Sequence, residues 1–203
     1  MSASLPLREQ QREFTRQRLM EAARDVFAES GYLAATIEDI AARAGASRAT
    51  FYLHFRTKGD LVSALVEDAE AAAIERYRAF DALLTDPAGH TREQLHTWLA
   101  EWLEIWREHW QLNAALMQAS TADPAVEERL IQLSTGLIDT LENYFARWPE
   151  AERTAARERA LMLEVMTQRL FYLAAHQAIP VGDDSVLDFL TELWDGHFVA
   201  PER

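Results

Sequence analysis

Cysteine is absent from this 203-residue chain, which removes any disulfide framework and any thiolate metal site. Lysine is nearly absent: Lys58 is the only one. Seven glycines are too few and too scattered for a phosphate-cradling Gly-rich loop, and no nucleophile-elbow motif occurs. No alternating apolar pattern marks a strand, so an α/β enzyme is excluded and an all-α fold is expected. No apolar run approaches the roughly 20 residues that a membrane-spanning helix needs, and the first residues do not form a signal peptide. These absences suit a cytoplasmic protein with no membrane partner. Positive charge is scarce overall, with a net charge of −13, but it is unevenly spread. Residues 1–60 hold nine basic and eight acidic side chains, net +1, whereas residues 61–203 carry net −14. An acidic second part keeps the protein soluble and repels nucleic acid; the first part has no such bar.

What is present is concentrated between Thr36 and Lys58. Ile37, Ile40 and Ala41 recur at i, i+3, i+4, so a short helix has one apolar face. Thr36 and Asp39 have the spacing of a capping box, and Gly45 is a residue able to end the helix in a left-handed conformation. Ser47 then serves as N-cap for a second helix running to about Phe55. Only a tight turn separates the two, the layout of a helix-turn-helix. Phe51 and Phe55 face inward at i, i+4. The remaining surface, Ser47, Arg48, Ala49, Thr50, Tyr52 and His54, is small or hydrogen-bonding and holds no acid. Short side chains allow close approach in a major groove, where an arginine bonds a guanine edge in a bidentate way. Lys58 is placed to hold a phosphate as a point charge. Amphipathic helix pairs with a glycine turn are common in proteins that never touch DNA. The ordered set of cap, turn, aromatic pair, Tyr52, His54 and Lys58 is much less so.

The stretch from Gly45 to Phe55, with Lys58 and Leu61, closely resembles the recognition-helix region of TetR-family transcriptional repressors. Arg18 to Tyr32 is similar to that family's first helix and Thr36 to Ala41 to its second. The resemblance covers roughly residues 15–62. It implies a three-helix DNA-binding domain at 8–56 and a helical-bundle ligand-binding and dimerisation domain at 57–203, about nine helices in all. It also implies a homodimer on a double-stranded, near-palindromic operator, paired through helices at about 150–177 and 184–197. A small apolar or aromatic effector would release it.

Along the chain, residues 1–7 show no periodic pattern, helical character can begin near Arg8, and a firmer helix is expected from Thr15 to Glu29, closed by Gly31. That would put Thr15 and Arg16 at a helix N-terminus, able to meet a phosphate. Arg8 and Arg12 would be a solvated tail or an arm along the DNA. Thr57 and Asp60 start a helix near Lys58 that continues to Leu84, broken by Asp86–Gly89. Thr91 and Gln94 open another, carrying Trp98, Trp102, Trp106 and Trp110. Four residues advance about 400°, so this row drifts by about 120° over its length and only neighbours share a direction. Trp102 and Trp106 are expected to line an effector pocket with Asn113, Met117, Phe145, Met166, Thr167 and Phe171, although a plain helix seam explains part of the row. Further helices are expected over 111–121, 124–147, 150–177 and from Asp183 or Asp184 onward. Leu161–Ala175 is apolar nearly all round, so it is buried all round. The interruptions at Glu164, Thr167, Gln168 and Arg169 need partners: one another, a second subunit or a ligand.

An enzyme is not expected. Glu93 and His96 form a single Glu-x-x-His where a bundle metal site needs two, and the histidines share no ligand spacing, so no catalytic residue, metal or cofactor is assigned. Two other readings remain open: a relative acting as an activator or without a ligand, and an acidic helical scaffold that binds proteins.

Overall fold

The computed structural model describes residues 6–198, and every regular element among them is a helix. In order they are α1 Leu7–Ala34, α2 Ile37–Arg43, α3 Arg48–Tyr52, α4 Lys58–Leu84, α5 Arg92–Glu108, α6 Trp110–Ala122, α7 Pro124–Asp139, α8 Glu142–Ala146, α9 Glu150–Ala175 and α10 Asp183–His197. The count is ten where about nine were expected, because the helix foreseen over 124–147 is two. Asp81, buried on α4, explains the break. Its carboxylate accepts from the backbone N–H of Tyr144 at 2.8 Å and of Asn143 at 3.3 Å, and from Asn143 Nδ2 at 2.7 Å. It thus supplies α8 with the N-terminal acceptor that the local sequence lacks.

Residues 1–5 of the expected unpatterned opening lie outside the described residues. α1 already begins at Leu7, so Arg8, Arg12 and Thr15 are helical positions and not a tail or a helix start. Gly31 does interrupt α1, with φ of 75°, a conformation cheap only without a Cβ. The side-chain carbonyl of Gln118 on α6 accepts from the Tyr32 N–H at 2.9 Å just after this kink. Lys58, the first residue of α4, donates to the Tyr32 carbonyl and, at 2.7 Å, to that of Ala35. Its ammonium also lies 4.1 Å from the Tyr32 ring centre. Carbonyls at a helix C-terminus have no intrahelical donor, and a cation there satisfies both hydrogen bonding and the helix dipole.

Packing divides the described residues into two compact units: 6–68 with 111–129, and 69–110 with 130–198. This division differs from one at residue 56. The start of α4 and most of α6 belong with α1–α3, where Lys58 and Gln118 hold the end of α1. The core of the first unit joins Leu19, Met20 and Phe27 of α1, Ile40 of α2, Phe51 of α3 and Leu61 and Leu65 of α4.

The core of the second unit is aromatic. Tyr77 and Phe80 of α4, Trp98 and Trp102 of α5, Phe171 of α9 and Trp194 of α10 form one buried cluster. Phe80 stacks on Trp98 at 4.3 Å and Trp102 meets Phe171 edge-on at 5.3 Å. The polar interruptions of α9 find partners inside this unit. Glu164 accepts from the Tyr77 hydroxyl and from Gln168 Nε2 at 2.6 Å, and Gln168 also reaches Ser134 at 3.1 Å. Thr167 donates to the Leu163 carbonyl and accepts from Trp194 Nε1 at 2.9 Å. Arg169 lies over the Tyr172 ring.

Two measurements follow from this packing. Glu164 is 0% exposed, and burial pushes its carboxyl up to about 7 despite the hydrogen bonds from Tyr77 and Gln168 that oppose the rise. The folded chain therefore holds this proton more tightly than the unfolded chain, so the stabilisation is complete below about pH 4.5 and disappears as pH rises through about 7. About 3 kcal/mol rides on it. The thermal midpoint of the wild type should fall between pH 5 and pH 8 more than that of Glu164→Gln, whose neutral amide cannot titrate. Separately, Lys58→Met should destabilise the fold by about 1–3 kcal/mol in urea unfolding, since it leaves two half-buried carbonyls without their donor.

Candidate nucleic-acid interface

The geometry of the α2–α3 pair follows from its caps. Thr36 Oγ1 accepts from the Asp39 N–H and the Asp39 carboxylate accepts from the Thr36 N–H, both at 3.1 Å, so the expected capping box is present. The Thr36 hydroxyl also donates to the Asp39 carboxylate at 2.5 Å, and that bond, followed by the one from the Thr36 N–H, holds the Asp39 carboxyl below its ordinary range. At the other end Gly45 has φ of 60°. The Ala46 N–H bonds the Ala41 carbonyl at 2.8 Å and the Gly45 N–H bonds that of Ala42 at 3.0 Å, the paired bonds of a Schellman turn. Arg18 of α1 donates to the Ala44 carbonyl, tying the turn to the first helix. Ser47 Oγ then accepts from the Thr50 N–H at 3.0 Å and starts α3. α3 is shorter than expected, ending at Tyr52, with Leu53 and His54 in a turn.

Phe51 and Phe55 are buried against one another, with ring centres 5.7 Å apart. The opposite face is open. Ser47, Arg48, Ala49 and Tyr52 are exposed, and Thr50 and His54 half-buried. Burial, and after it the nearby Arg12 and Arg16 guanidinium groups, lower the His54 pKa, while Glu13 opposes them. Leu53, next to this face, is 72% exposed, an apolar side chain that the periodic reading passed over.

The other residues expected to meet phosphate make contacts within the chain. Thr15 donates to the Gln11 carbonyl at 2.9 Å in mid-helix, so no helix N-terminus is available there. Arg16 lies 5.6 Å over the Phe55 ring, with Glu13 and Glu67 at 3.7 and 4.0 Å. Thr36 is engaged in its capping box. Lys58 is half-buried and committed to the end of α1. Glu38, which sequence reasoning missed, reaches Arg48 in an ion pair across the open face. Its place in the first turn of α2 was legible; its reach to α3 was not.

Six of the eight residues expected to line an effector pocket belong to the second unit. Trp102, Phe145, Thr167 and Phe171 are buried in the core of the second unit, and Trp106 and Met166 pack on it half-buried. Asn113 and Met117 fall in the other unit. A groove of about 400 Å³ in the second unit is lined instead by Leu83, Glu93, Gln94, Thr97, Trp98 and Glu101. Among the described residues, Trp98 Nε1, Trp148 Nε1 and Thr191 Oγ1 are buried without a hydrogen-bond partner.

Residues 19–65 match the family described as bacterial regulatory proteins, tetR family. The HTH-type transcriptional regulator UidR of Escherichia coli is 34% identical over 64 residues, which are 32% of this chain and 33% of UidR. The match therefore spans about a third of the length of this curated relative. Among solved structures, a TetR-family regulator from Syntrophomonas wolfei superposes with a TM-score of 0.66 at 18% identity, covering 92% of this chain and 95% of its own. Salmonella enterica GusR does so at 0.63 and 22%, covering 91% and 95%. The capped helix pair thus lies inside the stretch that matches the tetR family, and the helical fold of the solved structures is shared over nine-tenths of the chain.

Proposed function

We propose that the chain is a DNA-binding transcriptional repressor that acts as a homodimer and is released by a small apolar or aromatic effector. The observation that carries this reading is the open face of α3, presented by a rigid cap and turn, with only donors and small residues on the helix itself. In the proposed complex the two copies of α3 enter successive major grooves of a near-palindromic site, with half-site spacing set by the dimer. Arg48 reads a base edge while Ala49 and Thr50 sit close to the groove floor. Arg16, Ser47, Tyr52 and His54 meet phosphates. Thr15, Thr36 and Lys58 act indirectly, by holding the helices that carry those groups.

Dimerisation through α9 and α10 is supported by the apolar side chains these helices expose: Met162 and Val165 on α9, Phe189 and Leu193 on α10. Unpaired apolar stripes on two neighbouring helices suit a partner's matching stripes. An effector in the second unit is supported by its aromatic core and by the unpartnered Trp98 and Thr191 groups, which a ligand's polar atoms would satisfy. By binding better to a form with a different separation of the α3 pair, the effector would lower operator affinity.

The test is a mobility-shift comparison on a duplex selected from a random pool and on mixed-sequence DNA. Arg48→Ala should cost the selected duplex about 1–3 kcal/mol of binding and leave mixed-sequence binding much less affected. Equal losses on both would remove Arg48 from base reading, and no binding by the wild type to either would remove the function.

A further inference from the structure

In the free chain the groove-facing arginine is already occupied. Glu38, in the first turn of α2, forms an ion pair with Arg48 Nη1. Arg48 Nη2 approaches the Tyr52 hydroxyl at 3.2 Å, and the guanidinium lies 5.5 Å from the Tyr52 ring centre. The side chains of Arg48 and Glu38 are 61% and 55% exposed, so this pair lies on the surface and does not form part of the core. A carboxylate at this place is favoured for its own reason, since the N-terminus of α2 attracts negative charge. The face proposed to meet DNA therefore carries no net charge from this pair until the pair separates.

That arrangement treats two kinds of DNA differently. Mixed-sequence DNA offers chiefly phosphates, and its affinity comes from cations that displace counterions. With Glu38 beside it, Arg48 contributes little to that attraction, and the carboxylate itself repels the backbone. A guanine edge offers two acceptors in the geometry of the guanidinium fork, enough to replace a solvent-screened carboxylate. We infer that Glu38 is a specificity-determining residue: it masks Arg48 against phosphates and gives it up to a matched base edge. This rests on the reading of α3 as the DNA-facing helix.

The experiment is anisotropy titration of the full chain with a duplex selected from a random pool and with mixed-sequence duplex, over a range of salt. Wild type, Glu38→Gln, Glu38→Ala, Arg48→Ala and the Glu38→Gln/Arg48→Ala pair are compared. Glu38 is exposed, and unchanged thermal midpoints check that its variants fold. Either Glu38 variant should tighten mixed-sequence binding by about fivefold at low salt, the upper range for an exposed ion pair. The salt dependence should steepen by about one phosphate contact per subunit. The ratio of selected to mixed affinity should fall by a similar factor. In the Arg48→Ala background the effect of Glu38→Gln should largely vanish. The inference is overturned by unchanged mixed-sequence affinity, by equal tightening with Arg48 absent, or by loss confined to the selected duplex, which would make Glu38 a positioning residue only. Failure of the wild type to bind any duplex would instead sink the DNA-binding reading itself.

Discussion

The site depends on one left-handed residue. Gly45 turns the chain through a conformation that an L side chain adopts at a cost of about 1–2 kcal/mol, and the Schellman bonds to Ala41 and Ala42 lock that turn. An added Cβ would also lie 2.9 Å from Arg18 Nη2, the guanidinium that holds the Ala44 carbonyl. Three helices are thereby fixed by a few backbone groups. α3 has only five residues, too few to be stable alone, so its orientation comes from its caps and from Phe51 and Phe55 beneath it. A short helix held this way can offer nearly all its remaining surface to a partner.

Charged groups tie helix ends together in both units, as Asp81 does at α8, and the second unit also buries a carboxyl in its aromatic core. In the first, charged groups tie helix ends together: Arg18 at the turn, Lys58 at the end of α1, Arg43 with Glu29 at 2.6 Å. In the second, an aromatic core encloses the Glu164 carboxyl, which neutral donors from Tyr77 and Gln168 meet. Such a group prefers its proton, which is why its pKa rises while the surface carboxylates Glu29 and Asp39 go the other way. The acid that dominates the chain's net charge is thus largely a surface property, and the buried acid is a separate matter of packing.

Local signals and their limits can be followed residue by residue. The capping boxes at Thr36 and Thr91, the N-cap Ser47, the Gly45 turn and the start of α4 were all legible, because each is fixed by atoms within four residues; the end of α5 at Glu108 was not, and Trp110 opens α6. The break before α8 was not, because its acceptor, Asp81, comes from α4. The early start of α1 was only faintly legible, near Arg8, because Leu7–Phe14 has no apolar stripe to bury, with Leu7 71% and Phe14 65% exposed. The drift of the tryptophan row follows from helix geometry alone, whereas the packing of Trp98 and Trp102 around Tyr77 sets where they meet.

Sequence alone determined the all-helical class, the helix-turn-helix and the acid-free face of α3, since periodicity and caps are short-range physics. Tertiary structure decided what each charge is for. Lys58 and Glu38 looked like a free cation and an ordinary surface acid. One became the cap of a helix 23 residues upstream and the other the partner of Arg48, because a side chain's nearest opposite charge is set by the folded chain and not by spacing along it.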